Sequence, residues 1–302
     1  GMSINQVITS TSGDVNLTGT TSTTSDYSAG IYSTRVVSGK NITMVANATA
    51  ATGNVLGYYG AGGTFNASQQ LSLTGNSVNA SGLYTYTGSY TSVTGMTLTS
   101  TSVNGSGIGI DNNVTISNTS SGGITMTGTA NAIYDAIGLR GVAITNAGGD
   151  VVLNAITGNV TASVGDPAWG SAQTNTISNS GTGKVQITAG NVSASSSGSI
   201  DGTVLAITQN ANAGVTVSTS GTGNLVAPKI TNNGTGNVVV AAGTAIGAGT
   251  GTGGQVLTVN GNNIAQSSSG KTYIYTGQAS NTGVLSYLDS SFSSLYYQGA
   301  SQ

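Results

Sequence analysis

Residues 177–190 read ISNSGTGKVQITAG, and residues 230–243 read ITNNGTGNVVVAAG. Each stretch holds two short alternations, Ile177-Ser178-Asn179 with Val185-Gln186-Ile187 and Ile230-Thr231-Asn232 with Val238-Val239-Val240. Alternation is the signature of a strand, because successive side chains leave opposite faces. The link between the two alternations is Gly, Asn, Ser and Thr. Such residues turn corners: Gly supplies positive φ, and Asn and Ser bond their own backbone.

Both alternations recur outward from these segments. The second becomes a triplet returning about every 28 residues: Val15-Asn16-Leu17, Ile42-Thr43-Met44, Leu71-Ser72-Leu73, Met96-Thr97-Leu98, Ile124-Thr125-Met126, Val151-Val152-Leu153, then Val185, Val215 and Val238 with their followers. The steps are 27, 29, 25, 28, 27, 34, 30 and 23 residues. The first recurs as Ile116-Ser117-Asn118, Ile144-Thr145-Asn146 and Ile207-Thr208-Gln209. A third pattern, a small residue followed by Ile or Leu and often Tyr, keeps step with them. It runs Gly30-Ile31-Tyr32, Leu56-Gly57-Tyr58, Gly82-Leu83-Tyr84, Gly107-Ile108-Gly109 and Ala132-Ile133-Tyr134. It sets Ile31, Leu56, Leu83, Ile108 and Ile133 inward, with a one-residue shift at Leu56.

A period of this length means one supersecondary unit stacked on copies of itself. The expected fold is all-β: a single-chain parallel β-helix, or β-solenoid, with three short strands per rung and about 9–10 rungs. A β-sandwich has short strands too, but would not hold three separate patterns in register. Residues 1–265 form the expected repeat array, and the step of 34 holding Asp166-Pro167-Ala168-Trp169 is a loop pushed out of the coil. Residues 266–302 are richer in Tyr and Phe. They are read as a cap over the last rung or the start of another module. Gly1-Met2 reads as a cloning scar before a fragment of a longer protein, and no signal-peptide pattern follows it.

Composition narrows the chemistry. The 302 residues include 48 Gly, only 2 Pro, and no Cys or His, and 5% are charged. All eight acids are Asp. Without His or Cys there is no imidazole or thiolate nucleophile or metal ligand, and no cofactor is expected. The six cations (Arg35, Lys40, Arg140, Lys184, Lys229 and Lys271) are scattered. Nucleic acid needs clustered phosphate contacts, so it is not an expected partner. No apolar run approaches the ~20 residues of a membrane helix, so no membrane insertion is expected.

Two Asp residues, Asp111 and Asp135, are 24 residues apart and so are candidates for one face of neighbouring rungs, as paired glycosidase carboxylates would be. Turn aspartates are the favoured alternative. The same pair with Asn112 and Asn113 is a weak Ca²⁺ candidate. Gly249–Gly254 fits G-x-G-x-x-G, but an apolar β-like run follows it instead of a helix, so it is discounted. The ladder Thr43, Ser72, Thr97, Thr125 and Thr216 invites an ice-binding reading. Val152, Gln186 and Val239 interrupt it, and ice binding is not expected.

The row with most functional content is Tyr. If Ile31, Leu83 and Ile133 point inward, Tyr32, Tyr84 and Tyr134 point outward at the same place on successive or near-successive rungs. Tyr58 joins them after its shift, and Tyr86 shares the face of Tyr84. Sugar rings pack their C–H faces on exposed aromatic rings, and Asp135 is placed to bond sugar hydroxyls. The candidate glycan-binding residues are therefore Tyr32, Tyr58, Tyr84, Tyr86, Tyr134 and Asp135. The alternatives are that these rings stack on one another, pack under a loop, or serve β-propensity.

The low-charge rungs, such as GTGKVQITAGNVSASSSGSI (181–200), and the tail GKTYIYTGQASNTGVLSYLDSSF (270–292) resemble the filamentous-haemagglutinin-like exoproteins of two-partner secretion. The family's amino-terminal secretion domain is not present. The resemblance implies a right-handed coil, an outer-membrane secretion partner, a secreted or cell-surface location, and roles in attachment and biofilm. The expected function is a non-catalytic adhesive segment, a monomeric rod whose partner is a glycan or surface receptor. Direct carbohydrate recognition along the Tyr row is the first alternative, and a polysaccharide-degrading enzyme or phage tail protein the second.

Overall fold

The computed structural model describes residues 1–131, 134–163, 174–190, 198–243, 254–259, 261–267 and 269–276. Among these there is no helix, and every strand pairing is parallel. The chain is a β-solenoid. One sheet stacks ten strands: Val15–Thr21, Ile42–Ala48, Gln70–Ser77, Gly95–Ser102, Ile124–Thr129, Val151–Thr157, Val185–Ala189, Val215–Thr219, Val238–Ala242 and Thr272–Thr276. At ~4.8 Å between neighbours this sheet is ~43 Å long.

This is the triplet face, and its register matches the sequence alignment residue for residue. Val15 pairs Ile42, which pairs Leu71, and the file continues through Met96, Ile124, Val151, Val185 and Val215 to Val238. Val238 then pairs Thr272, so the sheet runs past the sequence-drawn boundary at 265/266. Residues 277–302, read above as cap or next module, lie outside the described residues.

The other two strand files share a 17-stranded sheet. In three rungs they run on as single strands, Leu83–Ser92, Ile108–Asn118 and Asp135–Asn146. The first two bend at register shifts, between Tyr86 and Gly88 and between Asp111 and Val114. The residues at these corners sit in the left-handed region: Thr87 at φ 49°, Asn112 at 57° and Asn113 at 63°. Asn tolerates that conformation better than most side chains, which suits it to the corner.

The interior is an apolar column walled by all three files, and Ile42, Leu71, Ile108, Ile144, Ile187 and Val217 are fully buried or nearly so. One polar file enters it. Ser92, Asn118, Asn146, Asn179, Gln209, Asn232 and Gln266 stack in register at the third corner, and the first six are at most 2% exposed. Asn118 Nδ2 donates to Asn146 Oδ1 (2.8 Å), and Asn146 Nδ2 donates to Asn179 Oδ1 (3.0 Å) and to the Gly149 carbonyl (2.6 Å). Most of these buried amides are satisfied by a neighbouring rung or by a corner carbonyl; Gln209 breaks the ladder, its Nε2 donating to the Gly183 carbonyl (2.8 Å) and its Oε1 left without a partner.

The third file corrects the sequence reading. Ile31 pairs Tyr58, not Leu56, and Tyr58 pairs Leu83. Leu56 pairs Ala29, with no one-residue shift. Ile108 pairs Ile137, so Ile137 holds the seat assigned to Ile133, which lies outside the described residues. Tyr58 therefore faces the core.

Candidate functional site

The outward row next to these inward seats is Tyr32, Tyr59 and Tyr84, paired in register, followed by Gly109 and Gly138. Tyr59 is the hub. Its ring centroid lies 5.3 Å from Tyr32, 5.9 Å from Tyr84 and 5.9 Å from Tyr86, with planes tilted by 43°, 31° and 41°. These are offset aromatic contacts of the favourable kind. Tyr86 joins because it lies two residues beyond Tyr84, on the same face.

A fifth ring comes from the loop before the strand. Tyr27 is 68% exposed and sits at φ 60°. Its amide donates to the Asn54 carbonyl (2.8 Å), and the Asn54 amide donates to Asp26 Oδ1 (2.7 Å). The next rung thus holds this loop up as a wall. Between wall and row is a groove of about 340 Å³, lined by Tyr27, Asn54, Leu56, Tyr59, Ser81, Tyr84, Tyr86 and Asn112.

Tyr84 is pinned. Its hydroxyl donates to Asp111 Oδ2 (2.8 Å), which also receives Arg140 Nη1 at 3.4 Å. The ring leans over Gly109, where a Cβ would come within 2.9 Å of its Cδ2. That position must be Gly for Tyr84 to lie this way. Asp135 fills the next gap, its carboxylate beside Gly138. Burial raises the Asp135 pKa, opposed by a hydrogen bond from Thr161 and the charge of Arg140.

The candidates read from sequence therefore separate. Tyr32, Tyr84 and Tyr86 are brought together. Tyr58 is a correction: it is fully buried and belongs to the core, its Oη 3.2 Å from that of Tyr90. Tyr134 is displaced too. It is 39% exposed at a bend before Asp135, and Gly138 takes the place in the row expected for it. The Asp111–Asp135 stack is overturned as well, since Asp111 pairs Arg140 and Asp135 pairs Asn159. Among the described residues no three acidic side chains gather as a metal site. Tyr59 and Tyr27 were missed. The doublet Tyr58-Tyr59 carried the signal for the first, since in a strand one of two neighbours must point out.

Tyr58, Tyr59, Tyr84 and Tyr90 resist ionisation. Burial first, then Tyr86, Tyr32 and Tyr27, push Tyr59 up to about 12. Burial and the Asp111 carboxylate hold Tyr84 higher still. Tyr58 and Tyr90, wholly buried, are also raised, chiefly by desolvation. A phenol whose pKa is higher folded than unfolded lends its stability below the unfolded value of ~10 and loses it as pH rises through the folded value. In an alkaline titration, part of the phenolate absorbance should therefore appear only well above pH ~10, together with loss of the β circular-dichroism signal. All tyrosines ionising as one class near ~10, with the fold intact, would contradict this assignment.

No protein-family model, curated protein or solved structure matches the chain. No helix among the described residues is long and apolar enough to cross a membrane. Fold and site together define the class: a parallel β-solenoid repeat protein carrying an aromatic groove on its flank.

Proposed function

We propose that this solenoid is a non-catalytic adhesive segment of a secreted bacterial surface protein, and that its tyrosine groove holds an extended glycan. The observation that carries the reading is the groove itself, walled by Tyr27, Tyr59, Tyr84 and Tyr86 on a stacked, rigid scaffold. Aromatic faces with hydroxyl and amide neighbours suit sugar rings, which pair an apolar face with hydroxyls at their edge. Tyr32, Tyr59 and Tyr84 span two rung steps, ~10 Å, so one ligand touching all three must be a chain lying along the rod. The resemblance to two-partner exoproteins supports the surface location, the outer-membrane secretion partner, the right-handed coil and the monomeric rod.

The non-catalytic part is supported by the state of the acids. Asp111 is bound by Tyr84 and Arg140, and Asp135 does not stack on it. Incubation with bacterial polysaccharides should release no reducing ends, and measurable cleavage would overturn this part. Binding is tested on a glycan array with wild type and Tyr59→Ala. Removing the central ring should weaken any specific binding ~10-fold or more, as loss of a buried aromatic anchor does. Equal signals from both proteins would sink the groove reading.

A further inference from the structure

We propose that the groove selects uncharged glycan chains and turns acidic ones away. The inference rests on the reading of the groove as a glycan site and names the ligand class. No side chain lining the groove carries a charge: the lining is four phenols, two amides, a serine hydroxyl and a leucine. Neither guanidinium of the described residues lines the groove, and each has a partner. Arg140 lies on Asp111 at 3.4 Å, and Arg35 Nε donates to the Asn5 carbonyl at 3.3 Å. Three carboxylates lie around the row: Asp26 beside Tyr27, Asp111 beneath Tyr84, and Asp135 over Gly138.

A uronate or sulfate recognised in a groove needs a charge-assisted partner to replace its water. Here it finds phenols and a net excess of carboxylates. A neutral hexose or N-acetylhexosamine chain needs only ring faces and neutral donors and acceptors, which the lining supplies. Tyr84 is fixed in place by Asp111, so its ring is ordered before the ligand arrives, which lowers the entropy cost of binding. The raised pKa values of Tyr59 and Tyr84 keep those two phenols uncharged far above neutrality.

The test is calorimetry with soluble polymers in two sets. Uncharged ones are a β-glucan, a galactomannan and chitin oligosaccharides. Acidic ones are polygalacturonate, hyaluronan and a sulfated galactan. Wild type, Tyr59→Ala, Tyr59→Phe and Ser81→Lys are compared after circular dichroism shows that each is folded. At least one uncharged polymer should bind with a Kd that moves less than ~2-fold between ~0.05 and ~0.5 M salt. Acidic polymers should bind ~10-fold weaker or not at all, and Ser81→Lys, which sets a cation in the lining, should raise their affinity ~10-fold. Tyr59→Ala should cost ~10-fold, and Tyr59→Phe, which keeps the ring, under ~3-fold. Acidic polymers binding wild type more tightly, through Tyr59 and with strong salt dependence, would overturn the ligand class and leave the groove standing. Binding unmoved by Tyr59→Ala, or no binding in either set, would overturn the groove reading and the class with it.

Discussion

Replacing Asn146 with leucine should break the rod near its middle, at a cost of ~3 kcal/mol or more. Asn146 is 2% exposed and makes three side-chain bonds in the polar ladder. Leucine has the same branched heavy-atom skeleton, so no cavity is opened; what is lost is polar satisfaction. Asn118 Nδ2 retains the Gly122 carbonyl at 3.1 Å, and Asn179 Oδ1 retains the Gly181 amide at 3.2 Å. The Gly149 carbonyl loses its side-chain donor. A buried group left without a partner costs ~1–3 kcal/mol, and the neighbours' bonds weaken with it. In a one-dimensional stack the damage stays between adjacent rungs, so denaturation should split into two steps where the wild type shows one. The control is Thr145→Ala on the exposed side of the same strand, within ~0.5 kcal/mol of wild type. An Asn146→Leu midpoint equal to that of the control would refute the ladder's role.

Phe65→Ala should cost ~3–5 kcal/mol, the range for removing a buried aromatic ring. Phe65 is fully buried, stacked on Tyr90 at 5.4 Å and edge-on to Tyr58 at 6.0 Å. These rings fill the coil directly behind the groove, and Tyr58 is the chain neighbour of Tyr59. The cavity should therefore loosen the strand that carries the hub ring. Hydrogen exchange should rise in the rungs of Val37, Phe65 and Tyr90 and stay unchanged around Asn179 and Asn232. Glycan affinity should fall with it. A loss below ~1 kcal/mol, or exchange rising uniformly along the rod, would count against this packing account.

The triplet face was legible residue by residue. Its inward seats are large aliphatic residues in almost every rung, so the pattern and the pairing agree from Val15 to Val238. The tyrosine file was legible as a file but not in register. In Leu56-Gly57-Tyr58-Tyr59-Gly60 two equal side chains compete for the inward seat. Tyr58 takes it because Gly60 leaves space beside its hydroxyl, where a Cβ would come within 2.6 Å, and because Phe65 and Tyr90 receive the ring. Those contacts come from residues outside the strand. The Ile-x-Asn pattern was read as strands, but not its Asn as interior. Polarity argues for the surface unless a stacked copy satisfies the amide, and that copy is about a rung away. Tyr27 left no signal, because a loop has no period.

The sequence by itself determined that this chain coils into stacked parallel rungs, since strand alternation and corner chemistry act over a few residues and repeat. Only the tertiary structure decided which tyrosines share a groove, that Asp111 holds Tyr84 and Arg140, and that Asp135 stands apart. The physical reason is distance along the chain. A side chain's direction is set by its immediate neighbours, but its company is set by the next rung, about 28 residues away. There a single register step exchanges a core ring for a groove ring.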